Sequence, residues 1–402
     1  MNSENNIHLK ILEHSLRKSF SIDHKVNTVI ITSSLALGGA EKTLFNICDN
    51  IHKDDINVIN LSYEQFYSKK LKENGVHVFN LNCHSKIDLI KKLPKLFYII
   101  FKLKPKNIQT WMYHSDFLSV ILKFFFPLKN YFWGIRNGSQ NLNFSTKIIV
   151  YLLAFFSYFI PEKIISCAHA STKMHVKKFG YNRKKFLTII NGVNTKIYFK
   201  NHNSRTKYRK KLLIDDNTFT LCMVARWHQQ KDHITLLNAL ANLLNKKNID
   251  IKLILAGKDI DKKNYELINY IHNKNIFSNV ILLGEIENIY DIYNASDLNI
   301  LCSSGGEGFP NVLSESMACG TPCISTKSGD AKEIINKYGW LVDEGNSNEL
   351  ILKILDAISK KENKVIWEKN SNNSIEHIKS NFSLTTMTDC YYKLWNINRI
   401  KR

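Results

Sequence analysis

Glycine and proline are scarce, 16 and 6 in 402 residues, about 5% together against roughly 12% in an average protein. That excludes a collagen-like chain, a Pro-rich stalk and a Gly/Ser linker protein, and it gives weight to the few places where glycines cluster. Acidic residues are short too: Asp+Glu number 35 against 56 Lys+Arg, a formal net charge of +21. Such an excess favours a polyanionic partner, whether nucleic acid, an anionic membrane surface or a phosphorylated substrate. The eight cysteines contain no CxxC pair, and Cys319 and Cys323 have no second pair to complete a zinc site. Buried thiols in a reducing compartment are the expectation. The first 23 residues lack the apolar stretch of a signal peptide, so a cytoplasmic protein is expected. No uncharged run reaches the roughly 20 residues of a spanning helix; the best candidate, Ile148 to Ile160, has 13 and reads as a buried helix of a large α/β domain. The basic, oily stretch Lys91–Lys104 fits either a helix lying in an anionic interface or a solvated, core-packed helix.

Hydrophobic residues make up 44% of the chain, enough for full-sized cores, and the length suits two large domains or three ordinary ones. After the polar extension 1–23, short β-branched runs alternate with helical spacing. Expected strands lie at Val26–Thr32, Ile56–Leu61, Val76–Phe79, Ile108–Trp111, Tyr131–Trp133, Ile164–Ile165 and Phe186–Ile190. A polar, basic run, Lys200–Lys211, separates these from a second series at Phe219–Ala225, Ile251–Ala256, Val280–Leu283, Leu298–Leu301 and Pro322–Ser325. Strands alternating with helices predict parallel sheets covered on both faces. We expect one α/β domain over 24–200 and a second over 201–380. A terminal helix over 381–402 carries Met387, Tyr391 and Trp395 at four-residue spacing and is expected to pack back on the first domain.

Four places carry chemistry. Gly38-Gly39 stands between a strand and a helix, where exposed N–H groups and the helix dipole would favour an anion; a plain tight turn is the alternative, and neither GxGxxG nor GxxxxGK[ST] is present. Ser303–Pro322 follows a strand at the edge where open α/β sheets bind ligands. Its loop holds Glu307 and its helix Glu315, and carboxylates in those positions suit a sugar diol, unless they are solvated surface acids. Arg226 closes a strand and Lys231 precedes a helix, so both cations emerge at the same sheet edge as Glu307, a fork plus a point charge suited to a diphosphate or two ordinary surface residues. His114, with Asp116 close by, follows the Ile108–Trp111 strand and could donate a hydrogen bond to a ligand or serve structure; Arg136-Asn137-Gly138 ends the next strand in the same way. Asp259-Ile-Asp261 matches a minimal DxD, but its Lys-rich polar setting argues against metal ligation. His169, His175 and Asp389 have no ligand spacing.

The chain resembles the family-4 glycosyltransferases of the GT-B fold, retaining enzymes that build bacterial surface polysaccharides such as O-antigen, lipopolysaccharide and capsule. The likeness runs through Gly38-Gly-Ala-Glu-Lys42, Arg136-Asn137, Asn191-Gly-Val193, Arg226…Lys231, Ala256-Gly257, Leu283-Gly284 and Tyr293–Asp297. It is most specific at Glu307-Gly-Phe-Pro-Asn-Val-Leu-Ser-Glu315, the paired-glutamate signature, and ends in Gly320-Thr-Pro322, Gly329-Asp330 and Glu333-Ile-Ile335. It implies two Rossmann-like domains facing across a cleft. It further implies that Arg226 and Lys231 neutralise a donor diphosphate, Glu315 binds the ribose, Glu307 contacts the transferred hexose and His114 the sugar. Backbone at Gly38-Gly39 would touch the diphosphate, and Gly308, Phe309 and Asn311 would line the nucleotide site. The donor would be a nucleoside-diphosphate sugar, UDP first among carriers, and the acceptor a glycan, free or on polyprenyl diphosphate; no metal or other cofactor is implied. Where the family usually has Ser-Glu, this chain has Ala168-His169, so no contact is carried to that spot. A GT-B phosphorylase or epimerase is the rival within the fold. A nucleic-acid-binding protein is the rival outside it, although no zinc-finger spacing or recognition motif is present and no nucleic-acid partner is expected.

Overall fold

The computed structural model describes residues 25–138, 142–246 and 249–397. Among them, 25–133, 160–162 and 394–397 form one compact unit, and 134–159 with 163–393 form the other. The expected extension 1–23 lies outside the described residues.

The first parallel sheet has the order β3-β2-β1-β4-β5-β6-β7, with β1 Thr28–Thr32, β2 Ile56–Asn60, β3 His77–Asn80, β4 Asn107–Trp111, β5 Asn130–Ile135, β6 Lys163–Ser166 and β7 Phe186–Thr188. In the first unit, α1 (Gly39–Asp49) follows β1 and α2 (Phe66–Glu73) follows β2. Next come α3 (Lys86–Leu103) after β3 and α4 (Tyr113–Phe125) after β4. Strands β1, β2 and β4 are buried along their whole length, as parallel strands covered on both faces should be. Leu96, Ile99, Ile100 and Leu103 of α3 close one face of that core with Leu118 and Leu122 of α4. Trp395 is fully buried in the same unit; its Nε1 donates to Gln109 Oε1 at 3.3 Å, and its carbonyl accepts from Asn107 Nδ2 at 2.9 Å.

The second sheet, order β10-β9-β8-β11-β12-β13, is also parallel. Its strands are β8 Phe219–Val224, β9 Ile251–Ala256, β10 Val280–Leu282, β11 Leu298–Leu301, β12 Cys323–Thr326 and β13 Trp340–Val342. The second unit also carries α5 (Phe144–Phe156), α6 (His169–Met174), α7 (His202–Lys211), α8 (His233–Lys246), α9 (Tyr265–Asn273), α10 (Tyr290–Ala295), α11 (Asn311–Ala318) and α12 (Ala331–Ile335). The last three helices are α13 (Ser347–Glu362), α14 (Lys364–Asn381) and α15 (Leu384–Trp395). Met387 and Tyr391 of α15 are buried, as their spacing predicts.

One expectation is corrected, and two elements go beyond what the pattern marks. The basic run 200–211, which separates the two strand series, forms the helix α7: Asn201 caps it by accepting from Ser204 N at 3.0 Å. Arg209 anchors it by donating to Thr220 Oγ1 and the Ala295 carbonyl, each at 2.9 Å. The uncharged run 148–160 is not a buried helix. Val150, Leu153 and Ala154 of α5 face inward, but Tyr151, Leu152 and Phe155 are exposed, as is Phe159 just beyond it, at 67%. Strand β13, three residues long, was not anticipated.

Candidate active site

In an open parallel sheet, neighbouring strands whose connections run to opposite faces leave a crevice at their carboxyl ends. The second sheet reverses its order between β8 and β11, and the two loops singled out in the sequence leave those two strands. The β8 loop carries Arg226, which is exposed, and a 3-10 turn over Gln229–Lys231. The β11 loop carries Ser303–Pro310. Backbone and side chain knit them together: Ser304 N donates to Gln230 O at 2.8 Å, and Gln230 Nε2 to Gly305 O at 3.1 Å. Lys231 Nζ and Glu307 Oε1 lie 2.5 Å apart, and Ser303 Oγ donates to the same carboxylate oxygen at 2.5 Å. Lys231 and Glu307 are thus brought together as an ion pair. Arg226 has no carboxylate partner among the described residues.

The Glu307–Asn311 segment is held from several sides. Gly138 and Gly329 press against it so closely that an added Cβ would strike the backbone carbonyl of Glu307 or Gly308, and Gly329 sits at φ +59°, so only glycine fits there without strain. The Cys167 thiol faces Gly308. Asp330 N donates to Gly308 O at 3.0 Å, while the Asp330 carboxylate accepts from His169 N and Ala170 N at 2.7 and 2.9 Å. Burial pushes the Asp330 carboxyl up in pKa, against the pull of those two N–H donors. The Ala168-His169 departure from the family pattern is therefore a helix start capped by Asp330. Asn311 Oδ1 accepts from Asn191 Nδ2 at 3.0 Å, and Asn191 in turn accepts from Arg136, whose other nitrogen donates to Tyr391 Oη. The Phe309 ring turns into the core beside Phe382.

Glu315 lies in the second turn of α11, 5% exposed, and Tyr293 Oη donates to its Oε2 at 3.4 Å. Burial first, and the nearby Glu315 second, raise the Tyr293 phenol well above its ordinary range, so it stays a donor at neutral pH. Beneath the Arg226–Lys231 turn, burial holds the His233 imidazole down to about 4. His233 is thus neutral, and the cations of the turn are Arg226 and Lys231.

The first sheet reverses its order between β1 and β4, and its candidates lie at those carboxyl ends. Gly38 is the N-cap of α1, extended at φ −166°, and the Glu41 carboxylate folds back against it. That places a fixed negative charge at the helix start, where the dipole favours one. His114 falls in the first turn of α4, exposed. The residue before that helix, Met112, has φ +72°, a conformation costing a non-glycine residue roughly 1–3 kcal/mol and typical of functional turns. Nothing in the residue type announces this.

Asp261 Oδ1 accepts from Lys263 N at 2.8 Å in a tight turn. Among the described residues no three His, Cys, Asp or Glu side chains gather as a metal-holding group.

Residues 204–374 match the family described as Glycosyl transferases group 1. Over 167 residues the chain is 29% identical to the N-acetyl-alpha-D-glucosaminyl L-malate synthase of Bacillus anthracis, an alignment spanning 41% of this chain and 42% of that protein. Over 337 residues it is 25% identical to the N-acetylgalactosamine-N,N'-diacetylbacillosaminyl-diphospho-undecaprenol 4-alpha-N-acetylgalactosaminyltransferase of Campylobacter jejuni, spanning 80% and 87%. Among solved structures, Anabaena HepE in complex with UDP-glucose superposes with a TM-score of 0.80 at 19% identity, over 92% of this chain and 99% of that one. With its two Rossmann-like parallel sheets and C-terminal helices the chain has the GT-B fold, and its residues 204–374 are homologous to the group 1 glycosyltransferases.

Proposed function

We propose that the protein is a retaining glycosyltransferase, moving a hexose or N-acetylhexosamine from a UDP-sugar to a hydroxyl of a growing or polyprenyl-diphosphate-linked glycan in surface-polysaccharide synthesis. The observation that carries this is the Lys231–Glu307 pair beside exposed Arg226 at the β8/β11 switch point. The likeness to a structure described with UDP-glucose supports the choice of donor, and a relative named for a diphospho-undecaprenol acceptor supports the choice of acceptor class.

Breaking the bond between the anomeric carbon and the diphosphate oxygen leaves negative charge on the nucleoside diphosphate and positive charge on the sugar ring. Arg226 and Lys231 would oppose the negative charge where it grows, lowering the barrier. Lys231 is engaged by Glu307 in this structure; a bound diphosphate offers it a second anion and frees Glu307 to accept from hydroxyls of the sugar. The acceptor hydroxyl attacks from the face the diphosphate leaves. Its proton passes to the departing phosphate oxygen as the new C–O bond forms, which retains configuration. Glu315 would take the ribose diol. The resemblance adds backbone at Gly39 for the diphosphate and His114 for the sugar, with Gly308 and Asn311 at the nucleotide.

A panel of UDP-, GDP- and ADP-sugars, read by thermal stabilisation and by release of the free nucleoside diphosphate, tests the proposal. A transferase stabilised by UDP-sugars should release UDP quickly only when a glycan acceptor is present. Stabilisation by none of the donors, or acceptor-independent conversion of the sugar, would contradict it.

A further inference from the structure

The donor-side loops leave the carboxyl ends of β8 and β11. At the amino ends of β11 and β12 a separate pocket of about 460 Å³ opens, lined by α7, the turns before both strands and the α13–α14 junction. Its wall carries four cations, Lys200, Arg205, Lys361 and Lys364, against two carboxylates, Asp297 and Glu368.

Asp297 forms the floor, its side chain 4% exposed. Arg205 Nη2 reaches it at 2.8 Å, Lys361 Nζ at 2.7 Å, and buried Arg209 at 3.8 Å from beneath. Lys200 pairs with Glu368. No carboxylate partners Lys364 among the described residues.

The fold accounts for only part of this charge. Arg209 is spent on carbonyls at the end of α10 and before β8, and one nitrogen of Arg205 on the carbonyls of Asn294, Ala295 and Ser296. Among the described residues Lys361 and Lys364 serve no such carbonyl. Burial disfavours the Lys361 charge, Asp297 favours it, and Arg205 and Arg209 add repulsion. Arg205 and Lys361 share Asp297, and the wall as a whole sets four cations against two carboxylates, a partly buried positive excess that an incoming anion would complete. Two helices of 10 and 18 residues, α7 and α14, begin at this pocket, and their starts add positive potential in the same direction. The volume falls within the roughly 300–1,000 Å³ of small-molecule sites and exceeds what a lone phosphate fills. Trp367, also in the lining, offers a flat apolar wall to the body of a ligand.

We propose that this pocket binds a phosphate-bearing small molecule, its phosphate held by Lys361, Lys364 and Arg205 and its body laid against Trp367. The site is separate from the donor loops and does not depend on the transfer reaction.

Glucose 6-phosphate, titrated into the full-length protein in the presence of saturating UDP, is the probe. Calorimetry should show saturable binding at millimolar concentration or below, unaltered in Lys231→Ala. A change in tryptophan fluorescence should accompany it and disappear in Trp367→Phe. Lys361→Gln and Lys364→Glu should each weaken binding about tenfold, equivalent to 1.4 kcal/mol, while glucose should not bind. Should Lys361→Gln fail to fold, Lys364→Glu on the exposed first turn of α14 carries the same comparison. Absence of saturable binding, loss of binding in Lys231→Ala, or affinity unchanged in both pocket variants would overturn the assignment.

Discussion

Lys231 is the residue on which the proposed chemistry turns. Its ammonium holds Glu307 at 2.5 Å, half-buried beside a sheet edge where a diphosphate can enter. Lys231→Ala should lower kcat/KM by about 10²-fold, near 2.7 kcal/mol, with little change in the denaturation midpoint. Steady-state kinetics on the purified variant check this, and near-normal turnover removes Lys231 from the mechanism. In the proposed mechanism Arg226 and Lys231 supply the countercharge, so activity should also survive EDTA; complete loss restored by Mn²⁺ or Mg²⁺ would return Asp259 and Asp261 to consideration. His233 makes a different kind of prediction. Its folded pKa is held near 4 by burial, against about 6.5 unfolded, so between those values the unfolded chain binds the extra proton and stability falls as pH falls. Lowering pH from 7 to 5.5 should cost wild type about 1 kcal/mol more than it costs His233→Gln. Urea midpoints at the two pH values measure the difference, and identical losses would show that the buried imidazole is not the titrating group.

At the scale of elements, the strands were legible because β-branched runs between polar turns leave little choice, and β9 and β11 fall where the pattern places them. The Arg226–Lys231 and Glu307–Glu315 segments were legible because charge and glycine cluster there in a glycine-poor chain. The clamp on the Glu307 loop was not: Gly138, Cys167 and Asp330 reach it across long stretches of chain, and no local spacing records such contacts. Periodicity failed at α5 for a plainer reason, since a uniformly apolar run carries no phase to say which side faces solvent. Gly329→Ala should test the clamp: a Cβ meets the Gly308 carbonyl, so kcat/KM should fall at least about tenfold while the fold, by circular dichroism, persists. Unchanged kinetics would mean the loop's position does not matter. Helix α3 exposes Ile87, Ile90 and Phe101 alongside Lys91 and Lys102, whereas Lys92 and Lys95 are half-buried. Each exposed lysine can add about 1 kcal/mol of attraction to an anionic surface. Anionic liposomes should therefore pellet the protein at low salt, neutral ones weakly, and a Lys91→Glu, Lys102→Glu variant should pellet less while keeping turnover on a soluble acceptor. No pelleting of wild type at low salt would make α3 a solvated helix face. No described helix is long and apolar enough to cross a bilayer.

For the whole molecule, two parallel sheets each reverse strand order once, and the residues expected to carry chemistry stand at the carboxyl ends beside both reversals. That coincidence of topology and chemistry is what the transferase reading rests on: the sheets supply rigid edges, and the formal net charge of +21 supplies a field that favours anions in general. The most direct test is the rate of UDP release from a UDP-sugar by the purified full-length protein, with and without a polyprenyl-diphosphate-linked glycan, in wild type and Lys231→Ala. Acceptor-dependent UDP release, with the sugar recovered on the acceptor in its original anomeric configuration and the rate depressed about 10²-fold in the variant, is the result predicted. Sugar transfer that proceeds equally well without Lys231, or a protein that neither binds nor turns over any nucleoside-diphosphate sugar, would contradict it.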